Sequence, residues 1–526
     1  MRRLLVSACL LASASAAACS SASNAGQSRP VTLVVALASD PGALNPAVTT
    51  SGNTHPVTDQ LFNGLVGLDE AFNPVPELAE RWSIEDDGRT YRFFLRPGVR
   101  WHDGTPFTSA DVRFTFEAAL LRYHSRTRAA LEGVIEAIET PDDLTVIFRL
   151  TRPYSPLLQR LDVVEASIIP RHQYDGHDLL TGEPTRRPIG TGPFRIVSHT
   201  PSDRIVLERN TQYFRPGLPR VDRVVFRILP NAAAAVAALE AGEVDYVSGV
   251  PGPAIPRLRA SPAVTVVPGT AGPGGALCQD VLIPNLARRP FNDPRVRRAF
   301  AHAIDRAFIH ERVYYGLGRV ATGPISHLMT WAYTADVPQY RHDPAEANRL
   351  LDAAGHPRGR DGVRMRLTFT HAATHQRLGQ ALREGLKLAG IDLALETRDF
   401  NAAVEQVFVK KAFDLGVASY CNGVDPDIGV RRAYVSSNIG PYPFSNGAGY
   451  RNPRIDALFE EASRQQDRAR RRDLYVEIQR ILAADVPYFW LVDTEALRAH
   501  RSTFTGFRPW TGAFLETVAA VAAETP

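Results

Sequence analysis

LFNGLVGLDEAFNPVPELAERWSIEDDGRTYRFFLRPGVRWHDGTPFTSADVRFTF, Leu61 to Phe116, is the stretch with the plainest local logic. Trp82 and Ile84 alternate along a strand, Asp86-Asp87-Gly88 supplies turn residues, and Tyr91, Phe93 and Leu95 alternate on the return. That pattern predicts a β-hairpin. Pro97-Gly98 turns the chain into an expected short strand, Val99 to His102, and Asp103-Gly104 turns it again. Thr108 with Asp111 three residues on resembles a capping box, so a helix is expected from Ser109. Val112, Phe116, Ala119 and Leu120 mark its buried face.

Outward from this block the chain has two textures. A length of 526 residues is too great for one core and predicts two or three domains. Residues 31–280 read as mostly β, with strands at Val31 to Leu37, Leu144 to Leu150, Phe194 to Val197, Ile205 to Leu207 and Val224 to Ile228. Glycine and proline are densest from Gly249 to Gly275, and strands then alternate with helices. Asp293-Pro294 and Asp343-Pro344 open helices as N-cap plus proline. Strands at Met365, Ile391 and Leu415, separated by helices, form a βαβαβ run and imply a mainly parallel sheet. Asn452-Pro453 opens a helix pair reaching Ala484.

The N-terminus reads as a secretion signal over residues 1–18: Arg2-Arg3, an apolar core from Leu4 to Leu11, then Ala16-Ala17-Ala18 before Cys19. The apolar core is too short to span a bilayer. Two processing routes fit, lipidation of Cys19 or ordinary cleavage after Ala18. The Ser/Ala/Gly-rich stretch within residues 19–30 reads as a flexible tether and favours the lipid anchor. With 60 basic against 56 acidic residues and no basic run interleaved with aromatics, a nucleic-acid surface is not expected. Outside the signal and Cys19, Cys278 and Cys421 remain in an oxidising compartment, as a bridge or as two buried thiols.

The Leu61 to Phe116 block resembles the signature region of the family 5 extracytoplasmic solute-binding proteins, which serve peptide and nickel ABC importers. Further matches follow in order. They are Asp40-Pro41 with Leu44-Asn45-Pro46, Ile189-Gly190-Thr191-Gly192-Pro193-Phe194, Pro290 to Arg297, Ala303-Ile304-Asp305-Arg306, and Tyr450-Arg451-Asn452-Pro453. The resemblance covers residues 31 to 515. It implies an α/β, two-lobed periplasmic-binding-protein fold (class II, large type). An extra β-rich subdomain at about 60–185 would sit in a first lobe of residues 31–280. Residues 281–485 would form the second α/β lobe, and 486–526 would return to the first. Some relatives bridge positions close to Cys278 and Cys421.

The resemblance also implies function: a monomeric, extracytoplasmic receptor that closes on an oligopeptide or dipeptide-like solute and delivers it to a permease and ATPase complex. A nickel chelate, an oligosaccharide or another small organic solute is the alternative, as is a periplasmic sensor or chaperone using the same clamp. No enzyme activity, cofactor or metal is expected. The peptide-binding branch places an Asp three residues before an Asp-Pro to meet the ligand ammonium. The matching residue here is Asn422, an amide that cannot neutralise that charge.

The residues expected at the ligand are Asn53, Tyr420, Asn422, Asp425 and Arg431. Asn53 belongs to a polar loop that lines the cleft in relatives. Tyr420 would pack on the ligand, and Asn422 and Asp425 would meet its polar end. Asp425-Pro426 also reads as a plain turn, with Asp427 a second candidate carboxylate. Arg431 and Arg432 read either as solvated charges or as one bidentate carboxylate clamp. His371 and His375 have metal-pair spacing but no spaced carboxylate. Trp101-His102-Asp103 reads as a strand end and turn. Gly190-Thr191-Gly192 is not a phosphate loop, because Pro193 removes an N–H.

Overall fold

The computed structural model describes residues 30–49, 54–69, 72–267, 277–441, 443–495, 497–507 and 518–523. Residues 1–29, with the signal and Cys19, and Asn53 lie outside the described residues. Among the described residues no helix is long and apolar enough to cross a membrane.

Two large sheets organise the chain. Among the described residues the first has seven strands, in spatial order Val264–Val267, Arg498–Arg501, Tyr246–Ser248, Thr32–Leu37, Arg223–Ile228, Arg204–Arg209 and Phe194–Thr200. The second has six: Arg319–Val320, Phe489–Asp493, Cys278–Pro284, Leu415–Cys421, Met365–Ala372 and Ile391–Arg398. Met365–Ala372 runs parallel to both Ile391–Arg398 and Leu415–Cys421, as the βαβαβ run predicts. The sheet is mixed rather than mainly parallel, because Cys278–Pro284 pairs antiparallel with Leu415–Cys421 and Phe489–Asp493, and Arg319–Val320 pairs antiparallel with Phe489–Asp493. The helices Pro294–Ala303 and Gln376–Lys387 bury apolar faces in this lobe's core.

The β-rich subdomain is a four-stranded antiparallel sheet whose centre is the predicted hairpin, Ala79–Glu85 and Thr90–Leu95. Tyr91, Phe93 and Leu95 are buried, and Phe93 and Phe116 both pack edge-on against Phe148. The helix begins at Ser109, where the Asp111 carboxylate accepts the Thr108 N–H at 2.9 Å. Burial of Val112, Phe116, Ala119 and Leu120 ties it to the sheet.

The structure differs from the sequence reading in three further places. Val99 to His102 does not form a strand, and only Arg100 bridges to Pro106. The Trp101 N–H is taken by Thr105 O at 2.9 Å and the His102 N–H by Gly190 O at 2.9 Å, so no ladder is left to extend. The strand Cys278–Pro284 lies wholly in the second sheet, so the lobe boundary falls before Cys278 rather than at 280. Finally, residues 486–526 do not return to the first lobe as one segment. Phe489–Asp493 is fully buried against Cys278–Pro284 in the second sheet, and the return to the first sheet comes only with Arg498–Arg501.

The Gly190-Thr191-Gly192 turn works by close backbone approach. A Cβ on Gly190 would sit 1.6 Å from Leu61 O, and one on Gly192 would sit 2.5 Å from Leu61 C. Glycine lets Gly192 N–H donate to Leu61 O at 2.8 Å and Phe194 N–H to Gln60 O at 3.0 Å. His102 completes the joint: its Nδ1 accepts the Gly190 N–H at 3.1 Å, and its Nε2 donates to Gly192 O at 3.1 Å. An imidazolium has no lone pair for Gly190.

Burial pushes His102 down to about 4, against a smaller upward pull from Gly192 O. The unfolded chain, with an ordinary histidine near 6.5, binds more protons between those values. This stabilisation is therefore complete above about pH 6.5 and lost as pH falls towards 4. The expected loss at His102 is about 3 kcal/mol. Thermal melts from pH 7 to 4 check it: the midpoint should fall, and His102→Asn should reduce the slope. A slope that His102→Asn leaves unchanged would contradict the assignment.

Candidate functional site

The loop from Asn422 to Arg432 leaves the C-terminal end of Leu415–Cys421, a central strand of the second sheet, at the junction of the lobes. Cys278 and Cys421 face each other in the antiparallel register and are joined by a disulfide with S–S 1.96 Å. The Asn422 N–H continues the ladder to Leu277 O at 2.9 Å. The loop then folds on itself, with Ile428 N–H on Asp425 O at 2.7 Å and Arg431 N–H on Pro426 O at 3.0 Å.

Its carboxylates are engaged by the protein. Asp425 is fully buried and pairs with both Arg471 Nη atoms at 2.9 Å, with Tyr475 OH donating at 3.3 Å. Asp427 joins the lobes. Tyr154 OH donates to its Oδ2 at 2.7 Å, Arg431 donates to Oδ1 at 2.9 Å, and Arg160 lies 3.9 Å from Oδ2. Arg160 also donates to Tyr154 OH at 2.7 Å and to Asp427 O at 3.3 Å. Burial alone would raise the Asp427 carboxyl, but Arg431 and Arg160 outweigh it and hold it below the ordinary carboxylate range. The other arm of Arg431 donates to Glu460 Oε2 at 2.9 Å.

Arg432 is placed differently. Its Nη2 donates to Cys421 O at 3.0 Å, its guanidinium lies 5.6 Å from the Tyr420 ring centroid, and its buried Nε has no partner. No carboxylate among the described residues pairs with it. Burial lowers its pKa, with Arg126 repelling and Glu165 attracting it from the first lobe. Across from it Arg126 pairs with Glu165 at 2.9 Å, and Arg160 lies 3.7 Å from Glu165. Burial, then the neighbouring Glu165, pushes Asp162 up to about 7. His55 and Asp59 form a buried pair at 3.0 Å.

Of the residues expected at the ligand, the structure commits three elsewhere. Tyr420 is buried among Phe408, Phe444 and Tyr488 and donates to Ser445 O at 2.8 Å, so it is a core residue that backs Arg432. Asp425 is an internal ion-pair partner, and Arg431 is shared between Asp427 and Glu460. Asn422 follows Cys421, whose carbonyl accepts from Arg432, and its buried Oδ1 has no partner. Asn53 lies outside the described residues. The sequence reading missed Tyr154, Arg160, Glu165 and Arg126. A signal existed, since Arg160, Asp162 and Glu165 interrupt the apolar run Pro156 to Ile169, where a buried charge needs a partner. The 940 Å³ groove along Phe194–Thr200 is lined only by first-lobe residues and is separate from this loop. His371 binds Ala372 O, and no group of three or more metal-ligating side chains is found among the described residues.

Residues 73–441 match the family described as bacterial extracellular solute-binding proteins, family 5 Middle. Over 480 residues the chain is 27% identical to the glutathione-binding protein GsiB of Pectobacterium atrosepticum, covering 90% of this chain and 91% of that one. It is similar in structure to the periplasmic binding protein DppA of Helicobacter pylori in complex with the peptide STSA. That match has 26% identity and a TM-score of 0.78, covering 94% of this chain and 99% of the other. It is also similar to the oligopeptide-binding protein AppA of Bacillus subtilis in complex with a nonapeptide. There the identity is 26% and the TM-score 0.78, covering 94% and 100%.

The internal role of Asp425 is testable by stability alone. Asp425→Ala leaves Arg471 buried without its counter-charge and should lower the unfolding free energy by about 3–5 kcal/mol in a denaturant titration. Near-wild-type stability would return Asp425 to the list of ligand contacts.

Proposed function

Because the chain belongs to the family 5 bacterial extracellular solute-binding proteins, we propose that it captures a peptide-like solute bearing a free carboxylate. It holds the solute between its lobes and passes it, as a monomer, to an ABC permease. The observation that carries this reading is Arg432. The Arg432 guanidinium is half-buried, with no carboxylate partner among the described residues and a buried Nε left unbonded, and a ligand carboxylate arriving there supplies a counter-charge in a short, charge-assisted pair. The ligands named for the similar proteins, glutathione, STSA and a nonapeptide, are all peptides, which supports the same class here. The reading is of binding without bond chemistry. The tether sequence after Cys19 supports attachment to the outer face of the membrane by lipid at that residue.

Native mass spectrometry of the purified protein with its carried solute tests the proposal. A carboxylate-bearing, peptide-like compound is expected, and a neutral sugar would overturn it. Arg432→Gln should weaken binding of that compound by about 1.5–3 kcal/mol, roughly ten- to a hundredfold, with little change in the melting midpoint. Unchanged affinity in isothermal titration would remove Arg432 from the site.

A further inference from the structure

We infer that the second lobe carries a cation subsite, built from Asp280 with Tyr314 and His375, that takes an ammonium or guanidinium group of the solute. This rests on the reading of the chain as a receptor that encloses a peptide-like solute.

Asp280 lies on Cys278–Pro284, two residues past the disulfide, and is 6% exposed. In the antiparallel register it faces Ser419, and opposed residues share one face of a sheet. On that face Ser419 and Cys421 are exposed, whereas Tyr420, with Arg432 against its ring, points to the other. The sheet therefore stands between the Asp280 carboxylate and the Arg432 guanidinium. The parallel strands Met365–Ala372 and Leu415–Cys421 end here, and His375 follows the first of them after one short turn. Open α/β sheets take their ligands at such carboxyl ends. The first lobe comes close beside it: a Cβ on Gly252 would sit 2.5 Å from Cδ2 of Tyr315, the residue after Tyr314.

The carboxylate is only half served by the protein. Tyr314 OH donates to its Oδ2 at 2.5 Å, and His375 Nε2 stands 4.0 Å from the same oxygen. No Arg or Lys among the described residues pairs with it. Arg377, two residues past His375, is engaged by the Tyr315 hydroxyl and Arg312 O. Burial holds His375 below the ordinary histidine range against the pull of Asp280, and His371 also opposes its charging. Burial and the Asp280 charge raise Tyr314, so its hydroxyl remains a donor. A buried carboxylate with one neutral donor and no counter-ion is completed by a cation that brings several N–H groups. Among the described residues no group of three metal-ligating side chains forms here, so the fitting cation is an organic one. Asp280 thus offers the negative charge that the amide of Asn422 does not.

The test uses three equimolar tripeptide pools with free carboxylates, presented to the full-length protein by equilibrium dialysis. One pool is N-acetylated with a Lys or Arg side chain, one has a free amine and uncharged side chains, and one is N-acetylated and uncharged. At least one cationic pool should be retained about tenfold better than the uncharged pool, and which one tells a side-chain cation from a terminal one. Retention of the uncharged pool equal to or above both would overturn this inference and leave the receptor reading intact. C-amides of the retained pool held equally well would overturn the carboxylate at Arg432 and leave Asp280 in place. No retention of any pool would overturn the receptor reading and this inference with it. Ser419→Lys places an ammonium opposite Asp280 from an exposed position and should abolish the tenfold preference. Asp280→Asn should do the same. A preference that survives in either variant, with its melting midpoint near wild type, would overturn the role of Asp280.

Discussion

A carboxylate taken out of water must find its counter-charges, and Asp427 finds them on both lobes. Tyr154 and Arg160 reach it from the first, and Arg431 from its own loop. The geometry around it is nearly saturated: Arg160 holds Tyr154 as well as the Asp427 carbonyl, and Arg431 continues to Glu460. Removing one partner from such a buried set exposes the cost of all the others. The position of the 422–432 loop follows from this requirement, as does the close approach of the lobes beside it. So does the availability of Arg432, since the carboxylates that might have paired with it are used.

The scaffold that brings these groups together depends on backbone proximity more than on side-chain burial. Leu61 O accepts from Gly192, and Gly190 O accepts from His102. The start of the signature block, its Trp101-His102 turn and the glycine turn 90 residues later thus form one joint. On the other lobe the Cys278–Cys421 disulfide fixes the end of the cleft strand to the strand entering that lobe. Thr494 N–H, where the chain leaves the lobe, bonds to Cys278 O at 2.9 Å. Entry, exit and ligand loop are therefore held within a few residues of each other.

The elements legible in the sequence were those with local causes. The hairpin, the Asp111 cap and the proline-opened helices each follow from neighbours within about a dozen residues, and each formed. What failed had distant causes. Whether Val99 to His102 pairs as a strand is decided by Gly190, and whether Phe489–Asp493 joins the first or second lobe is decided by Cys278–Pro284. The site was harder still, because Asp427 and Tyr154 are separated by 273 positions. Arg431 and Arg432 show the limit most directly. They are adjacent residues of the four-residue helix Arg431–Tyr434, too short to carry a periodicity. Only the third dimension decides that one is spent on Asp427 while the other faces the first lobe.

That division gives the loop a consistent chemical logic. A binding loop with free acids beside free bases would bind itself shut. Here the loop's acids are used to fix the shape of the loop and the approach of the lobes, which leaves the shape independent of the solute. The Arg432 guanidinium holds the Cys421 carbonyl and lies against the Tyr420 ring, but it has no carboxylate partner among the described residues, and its Nε is unbonded. On the proposed reading, a ligand carboxylate at Arg432 adds a counter-charge without breaking an existing ion pair. Discrimination, on the same reading, comes from the mismatch a wrong ligand creates, such as an amide where a carboxylate is wanted.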